Sequence, residues 1–346
     1  CYENGHGVKS SAYEAVKWYK IAATQKYSIG SYNLAYCYER GFGIPNKDYH
    51  KAFQYYLLSA KQGYSKAEYR IGILLEEELI HINDEEIQEI KLHEFPNLVT
   101  TTTTPSKNTS PTAKRQGFQE KKRSFNVSTD HSDTSQDDFD HQQQRQSQQR
   151  LPQSNNMNSN AQEAFYWYLS SATKGLPDSQ VKVGNYYEYG VGTVKDAKKA
   201  FQYYELAGIE GNNTVGKYHL GYCYSTGTGV APDIEKALFY YHESAKEGNV
   251  AAQNNLAYMY YKGYGIEKNI QEAIKWYQKS VEKGYAPAMF NLASLYEKYH
   301  NNTNNSKGVV IGGGSPVKIQ EIINLYLAAA KGGVQRAKVA LNRLKS

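Results

Sequence analysis

Residues 254–285 read NNLAYMYYKGYGIEKNIQEAIKWYQKSVEKGY, and spacing alone places two helices in them. In the second half, Ala273, Tyr277 and Val281 stand four residues apart, so they share one helical face as a small–large–small stripe. Asn269, eight residues before Tyr277, suits the N-cap, where its side-chain oxygen accepts from an unpaired backbone N–H, and Glu272 completes a capping box. Gly284 follows seven residues after Tyr277 as the left-handed stop. In the first half, Leu256, Ala257 and Tyr260 form an apolar edge whose small member lets a neighbouring helix approach. Gly263 and Gly265 then end that helix, because glycine tolerates positive φ. The first helix is called helix A below, and the second helix B.

The phrase recurs. Tyr19, Tyr56, Tyr168, Tyr204, Tyr241, Tyr277 and Tyr326 occupy the anchor place, 36 or 37 residues apart where copies are uninterrupted. Four residues before them stand Ala15, Ala52, Ala164, Ala200, Ala237 and Ala273, with Ile322 the exception. The N-cap place holds Ser11, Asp48, Asn160, Asp196, Asp233 and Asn269, with Lys318 departing. The stop is Gly63, Gly175, Gly211, Gly248, Gly284 or Gly333. Helix A shows Leu34-Ala35, Val183-Gly184, Leu220-Gly221 and Leu292-Ala293 in the same register. Such a unit cannot bury its apolar side alone and must stack on its neighbours. The expected fold is all-α, a right-handed solenoid of two-helix repeats (an α/α superhelix) interrupted by one long disordered insertion.

A repeat reading helix A, Gly-x-Gly, a longish turn and a capped helix B with Trp-Tyr or Tyr-Tyr resembles the Sel-one-like repeat, a relative of the tetratricopeptide repeat. The resemblance covers roughly residues 1–80, 160–300 and 316–346. It implies a protein-binding scaffold or adaptor, with helix A lining the concave side by analogy with tetratricopeptide arrays. It also implies alternatives: the hydrolase activity proposed for a cysteine-rich branch, or a regulatory region attached to a catalytic domain such as a kinase or a cell-wall synthase activator. That branch pairs cysteines within a repeat. Here Cys1, Cys37 and Cys223 each open the same phrase in different repeats, too far apart for a disulfide, which argues for buried thiols in a reducing, cytoplasmic setting.

Both interruptions fall between helix A and helix B. After Ile71-Gly72 the Gly-x-Gly is missing, with room for a short helix to about His93, and residues 94–159 are too polar to bury a core. The expected division is therefore 1–93 and 160–346 as repeats, with 94–159 as the disordered insertion. A Gly- and Asn-rich insertion follows near 300–316, before a terminal helix. Lys121-Lys122-Arg123-Ser124 has the form of a nuclear-import or kinase-target patch, although charge clusters in polar tracts are ordinarily just solvated. The chain opens inside a repeat at Cys1 and is expected to be a fragment.

No apolar run approaches the roughly 20 residues of a membrane helix. The net charge of +6 is spread out, which disfavours a nucleic-acid footprint. No nucleophile–base set or metal-spaced cluster is legible, so no catalytic residue, metal or cofactor is expected. The 33 tyrosines direct attention to binding. Positions two before, two after and five after the Leu of helix A lie opposite the core stripe at about 100° per residue. They give Tyr32 and Tyr36; Tyr218 and Tyr222; Asn254, Tyr258 and Tyr261; and Phe290, together with the acids Glu39, Glu188 and Glu297. This set is expected to face a groove that receives a protein or peptide partner, because tyrosine offers a rigid surface with one polar tip.

Overall fold

The computed structural model describes residues 2, 5, 7–80, 159–302 and 318–345. The tract 94–159 up to Met157-Asn158, the helix expected toward His93, the Lys121–Ser124 patch and the insertion beyond Asn302 lie outside them. Asn301 and Asn302 themselves still belong to a helix. The described residues hold fourteen α-helices and no strand. The odd members are helices B: α1 Ala12–Thr24, α3 Tyr49–Ala60, α5 Ser159–Thr173, α7 Ala197–Glu205, α9 Ile234–Lys246, α11 Ile270–Glu282 and α13 Ile319–Lys331. The even members are helices A: α2 Ser28–Arg40, α4 Ser65–Glu76, α6 Pro177–Tyr189, α8 Thr214–Thr226, α10 Val250–Lys262, α12 Ala286–Asn302 and α14 Gln335–Lys345. Each packs on the element before and after it, and α4 packs on α5 although 82 residues separate their ends. Residues 1–79 and 156–346 thus form one compact unit.

The starts follow capping chemistry. Ser11, Asp48, Asp196, Asp233 and Asn269 each accept from the backbone N–H three residues on. Lys318 makes no such bond. Asn160 departs from expectation: α5 begins at Ser159, so Asn160 lies inside the first turn. The first glycine of Gly-x-Gly is the left-handed cap, as at Gly227 with φ 79°, whose N–H donates to the Cys223 carbonyl. The second has another reason. A Cβ on Gly229 would collide with the Ala197 carbonyl, so this glycine lets the turn rest on the start of the preceding helix B.

The anchor tyrosines form the core. Tyr56, Tyr168, Tyr204, Tyr241, Tyr277 and Tyr326 are all buried, and Trp167 joins them. Where the small residue of helix A is glycine, as at Gly72, Gly184 and Gly221, the anchor ring of the same repeat lies on it. A Cβ on Gly72 would stand 2.5 Å from the Tyr168 ring, and one on Gly221 2.6 Å from the Tyr241 ring. Three residues after the anchor a serine ties the far end of the pair: Ser59, Ser171, Ser244 and Ser280 donate to the carbonyls of Ser28, Ser65, Thr214 and Val250. One continuous core cluster runs from Tyr222 to Leu341.

One repeat carries an extra residue, and the backbone absorbs it. Leu220 follows Tyr204 by sixteen residues, whereas Leu256 follows Tyr241 by fifteen. Helix α7 continues as a π turn over Leu206–Glu210, closed by the Gly211 N–H on the Leu206 carbonyl at 2.9 Å. The left-handed stop therefore moves to Asn212 (φ 46°), and Gly211 does not take the conformation expected of it (φ −81°). The widened turn brings two backbones together: a Cβ on Gly216 would lie 2.6 Å from the Gly208 nitrogen.

Neighbouring repeats are keyed by a polar pairing beneath this core. Glu39 accepts from the Tyr56 hydroxyl at 2.8 Å and from Arg70 Nε of the next helix A at 3.1 Å. Glu76 accepts from Tyr168 at 2.7 Å and Lys182 at 2.5 Å. Where the acid is replaced by Ser225 or Tyr261, the place of Arg70 and Lys182 is taken by the uncharged Asn255 or Asn291. Glu39 and Glu76 thus meet a cation, whereas Ser225 and Tyr261 meet an uncharged amide, as the cost of an uncompensated buried ion requires. Replacing Glu39 by Ser should therefore cost about 3 kcal/mol. Adding Arg70→Asn, which copies the Ser225/Asn255 repeat, should restore at least half of that loss in urea unfolding. A double variant no more stable than the single would contradict the keying.

Glu188 and His219 occupy the same two places. Glu188 accepts from Tyr204 at 2.6 Å, and burial pushes its carboxyl up. His219 stacks on the Tyr204 ring at 4.3 Å, and burial pushes its imidazole down to about 3 from 6.5. Below pH 6.5 the unfolded chain binds a proton that native His219 refuses, so this group makes stability fall as pH drops toward 3. The slope is at most about 1.4 kcal/mol per pH unit. His219→Asn should lose less stability than the parent between neutral pH and about 4.5, measured by denaturant unfolding. An unchanged slope would contradict the burial of a neutral imidazole.

Candidate interaction face

Successive helices A approach one another around α8. The α8 backbone comes within 8 Å of both α6 and α10, its helix-A neighbours, and among the described residues no two helices B meet to that extent. Side chains bridge the layer as well: Asn291 Nδ2 donates to Asn254 Oδ1 at 2.9 Å, and Lys298 Nζ to the Tyr261 hydroxyl at 3.0 Å, each across one repeat.

The expected groove residues separate by position. Two before the Leu, Tyr32 is half-buried between the rings of Tyr56 and Tyr64, at 5.4 and 5.1 Å. Its hydroxyl is pushed up chiefly by burial. Tyr218 is half-buried against His219 and Tyr241. Phe290 is half-buried with its ring 5.7 Å from Tyr326. Asn254 has no exposed surface, because its amide is used within the polar bridge between helices A. Two after the Leu, Tyr36 is open at 38% exposure and Tyr258 is half-buried, while Tyr222 is covered at 7%. Five after the Leu, Glu39, Glu188 and Glu297 turn inward to the anchor hydroxyls, and Tyr261 remains partly open. Asn254, Tyr222 and the three glutamates are thus core groups. They were misplaced because a helical wheel locates a residue on its own helix and takes no account of the neighbouring repeat.

Cations at the place six after the Leu were missed. Arg40 stands over the Tyr36 ring at 5.7 Å, and Lys262 over both Tyr258 and Tyr261 at 5.8 Å. Lys298 lies 5.6 Å over Tyr261. These pairs have the spacing and geometry of cation–π contacts. The repeated basic residue at this place was the signal available in the sequence. At the C-terminal end the face deepens into an open cleft of about 630 Å³, lined by Phe290, Ser294, Glu297 and Lys298 of α12, Tyr326 of α13 and Arg336, Val339, Ala340 and Arg343 of α14. Glu297 at its base accepts from Tyr326 at 2.7 Å and from Arg343 at 2.6 and 2.8 Å.

Cys37 and Cys223 are buried free thiols, and burial raises the Cys223 pKa far above the ordinary value. Among the described residues no group of three or more His, Cys, Asp or Glu side chains could hold a metal ion. No described helix is long and apolar enough to cross a membrane.

The Sel1 repeat family matches residues 1–27, 28–64, 154–176, 177–212, 215–249, 250–285 and 286–298, more than half of the chain. An uncharacterised Sel1-like repeat-containing protein of Schizosaccharomyces pombe is 24% identical over 223 residues, 64% of this chain and 24% of that protein. The chitin synthase regulator SKT5 of Saccharomyces cerevisiae is 39% identical over 56 residues, 16% of this chain and 8% of that protein. The chain therefore spans a quarter or less of the length of these curated relatives. The crystal structure of a Sel1 repeat protein from Oxalobacter formigenes matches with a TM-score of 0.54 at 25% identity, covering 82% of this chain and 84% of that one. The family match covers more than half of the chain's length, and the chain belongs to the Sel1 repeat family.

Proposed function

We propose that this chain is a non-catalytic scaffold that holds a partner peptide or domain along its helix-A face. The observation that carries the reading is the division of labour within helix A. One set of polar groups is consumed in keying the repeats, and a second set keeps surface open: Tyr36, beneath Arg40, is 38% exposed, and Tyr258, beneath Lys262, packs on the core with part of its ring open. Aromatic rings beside cations on a pre-formed surface are the side chains that dominate protein recognition. The buried carboxylates do not favour chemistry: Glu39, Glu76 and Glu297 are each tied to a tyrosine and a cation, which leaves them badly placed as proton donors or acceptors. The buried thiols fit a reducing, cytoplasmic setting.

The short match to a chitin synthase regulator favours a narrower version in which the partner belongs to a cell-wall synthase assembly. Both versions meet in one experiment. The tagged full chain is purified from its own cells, beside a Tyr36→Ala plus Tyr258→Ala variant and an Arg40→Glu plus Lys262→Glu variant. Either change should lower recovery of the bound partner by at least about fivefold while the thermal melt stays within a few degrees. Undiminished recovery with folded variants would remove the helix-A face from the account, and the identity of the recovered partner tests the synthase version.

A further inference from the structure

Helix α4 is held at both ends by carboxylates. Glu68, in its first turn, is fully buried, and its Oε1 accepts from Ser170 Oγ at 2.9 Å and from Lys174 Nζ at 2.5 Å. Glu76, its last residue, accepts from Tyr168 of α5 and from Lys182 of α6. Of the six helices A from α2 to α12, α4 alone carries an acid at both places. At the place of Glu68 the others have Ser31, Gln180, Lys217, Gln253 and Met289. Lys217 reverses the polarity, because it pairs with Glu247 just beyond α9. The two opposing places are both cationic only in α5–α6, as Lys174 and Lys182. In α7–α8 they are Glu210 and His219, in α9–α10 Glu247 and Asn255, and in α11–α12 Lys283 and Asn291.

This doubly charged joint falls where the chain connection is longest. The turn 227–233 holds α9 beside α8, whereas the 82 residues between α4 and α5 can span roughly 270 Å in extension. Connection length therefore does not select α5 for α4, and side-chain complementarity has to. Docked on α9, Glu68 would meet Glu247. Docked on α11 it would meet Lys283, but Glu76 would then be buried against Asn291. Each wrong partner leaves a buried carboxylate without a cation. We infer that Glu68 and Glu76 make α4 an interaction surface addressed to Lys174 and Lys182 of α5–α6, able to hold the two parts of the chain together after it has been cut between them. Ile71, fully buried, and the Tyr168 ring against Gly72 supply the affinity. The two acids supply the choice of partner.

The test uses the full chain with a site for a sequence-specific protease introduced within residues 94–158. After cutting, confirmed on a denaturing gel, the two pieces should sediment together at about 1 µM. Glu68→Lys sets a lysine against Lys174 and should weaken the association of the cut pieces by about hundredfold or more. Adding Lys174→Glu rebuilds the pair in the order of Lys217 and Glu247, and should return the association to within about tenfold of the parent. Glu14→Lys, the same charge change at an exposed pair of α1, should leave it within about twofold. If Glu68→Lys abolishes the helical circular-dichroism signal, Glu68→Gln takes its place and should weaken association by about tenfold. Hydrogen exchange on the uncut chain gives a reading that needs no protease. Amides of α4 should exchange at least about tenfold faster in Glu68→Lys and return toward the parent rate when Lys174→Glu is added. Pieces that separate once the parent is cut would overturn the inference. So would association or exchange indifferent to Glu68, or a double variant no better paired than Glu68→Lys alone.

Discussion

The ring of the anchor tyrosine, packed against a glycine of helix A in three of the repeats, sets the distance at which the two helices can meet. With Gly72 or Gly221 beneath it, the ring reaches backbone that a Cβ would occupy. Its hydroxyl cannot be buried there unsatisfied, and this requirement organises the next level of structure. Tyr56, Tyr168 and Tyr326 donate to Glu39, Glu76 and Glu297, and those carboxylates in turn need cations. Arg70, Lys182 and Arg343 come from the following helix A. One aromatic residue thus fixes the pairing within a repeat and, through its acceptor, the register of the next repeat.

The same geometry separates structural from available surface. Helices A approach one another, so their facing groups are consumed in bridges such as Asn254 with Asn291. Tyr36 and the cations Arg40 and Lys262 keep more open surface, while Tyr258 is half-buried against the core.

Most of the fold was legible because the repeat restates each physical requirement several times. Asp48, Asp196 and Asp233 stand where an N-cap is needed, and Gly227 where a left-handed residue must end helix A. Two features were hidden for different reasons. The π turn after Tyr204 is one extra residue that spacing reveals, but spacing does not say whether backbone or loop absorbs it; Gly208 and Gly216 decide in favour of the backbone. The recurring serines Ser59, Ser171, Ser244 and Ser280 were visible in the sequence, yet their carbonyl partners lie on another helix about thirty residues or more away. The binding face was read less well, since Tyr222 and Asn254 look open on an isolated helix and are covered only once repeats stack.

Helices α4 and α5 are the two halves of one repeat, joined by Tyr168 on Gly72 and Glu76 despite the 82 intervening residues. The direct measurement is amide hydrogen exchange on a variant in which residues 78–160 are replaced by the turn Gly41–Asp48 of the preceding repeat. Protection in α4 and α5 should match that of the parent chain, because the contacts of Tyr168 with Gly72 and Glu76 and of Ser171 with Ser65 are retained. Fast exchange in either helix, with the neighbouring repeats still protected, would show that the pair depends on the replaced segment and would contradict the account.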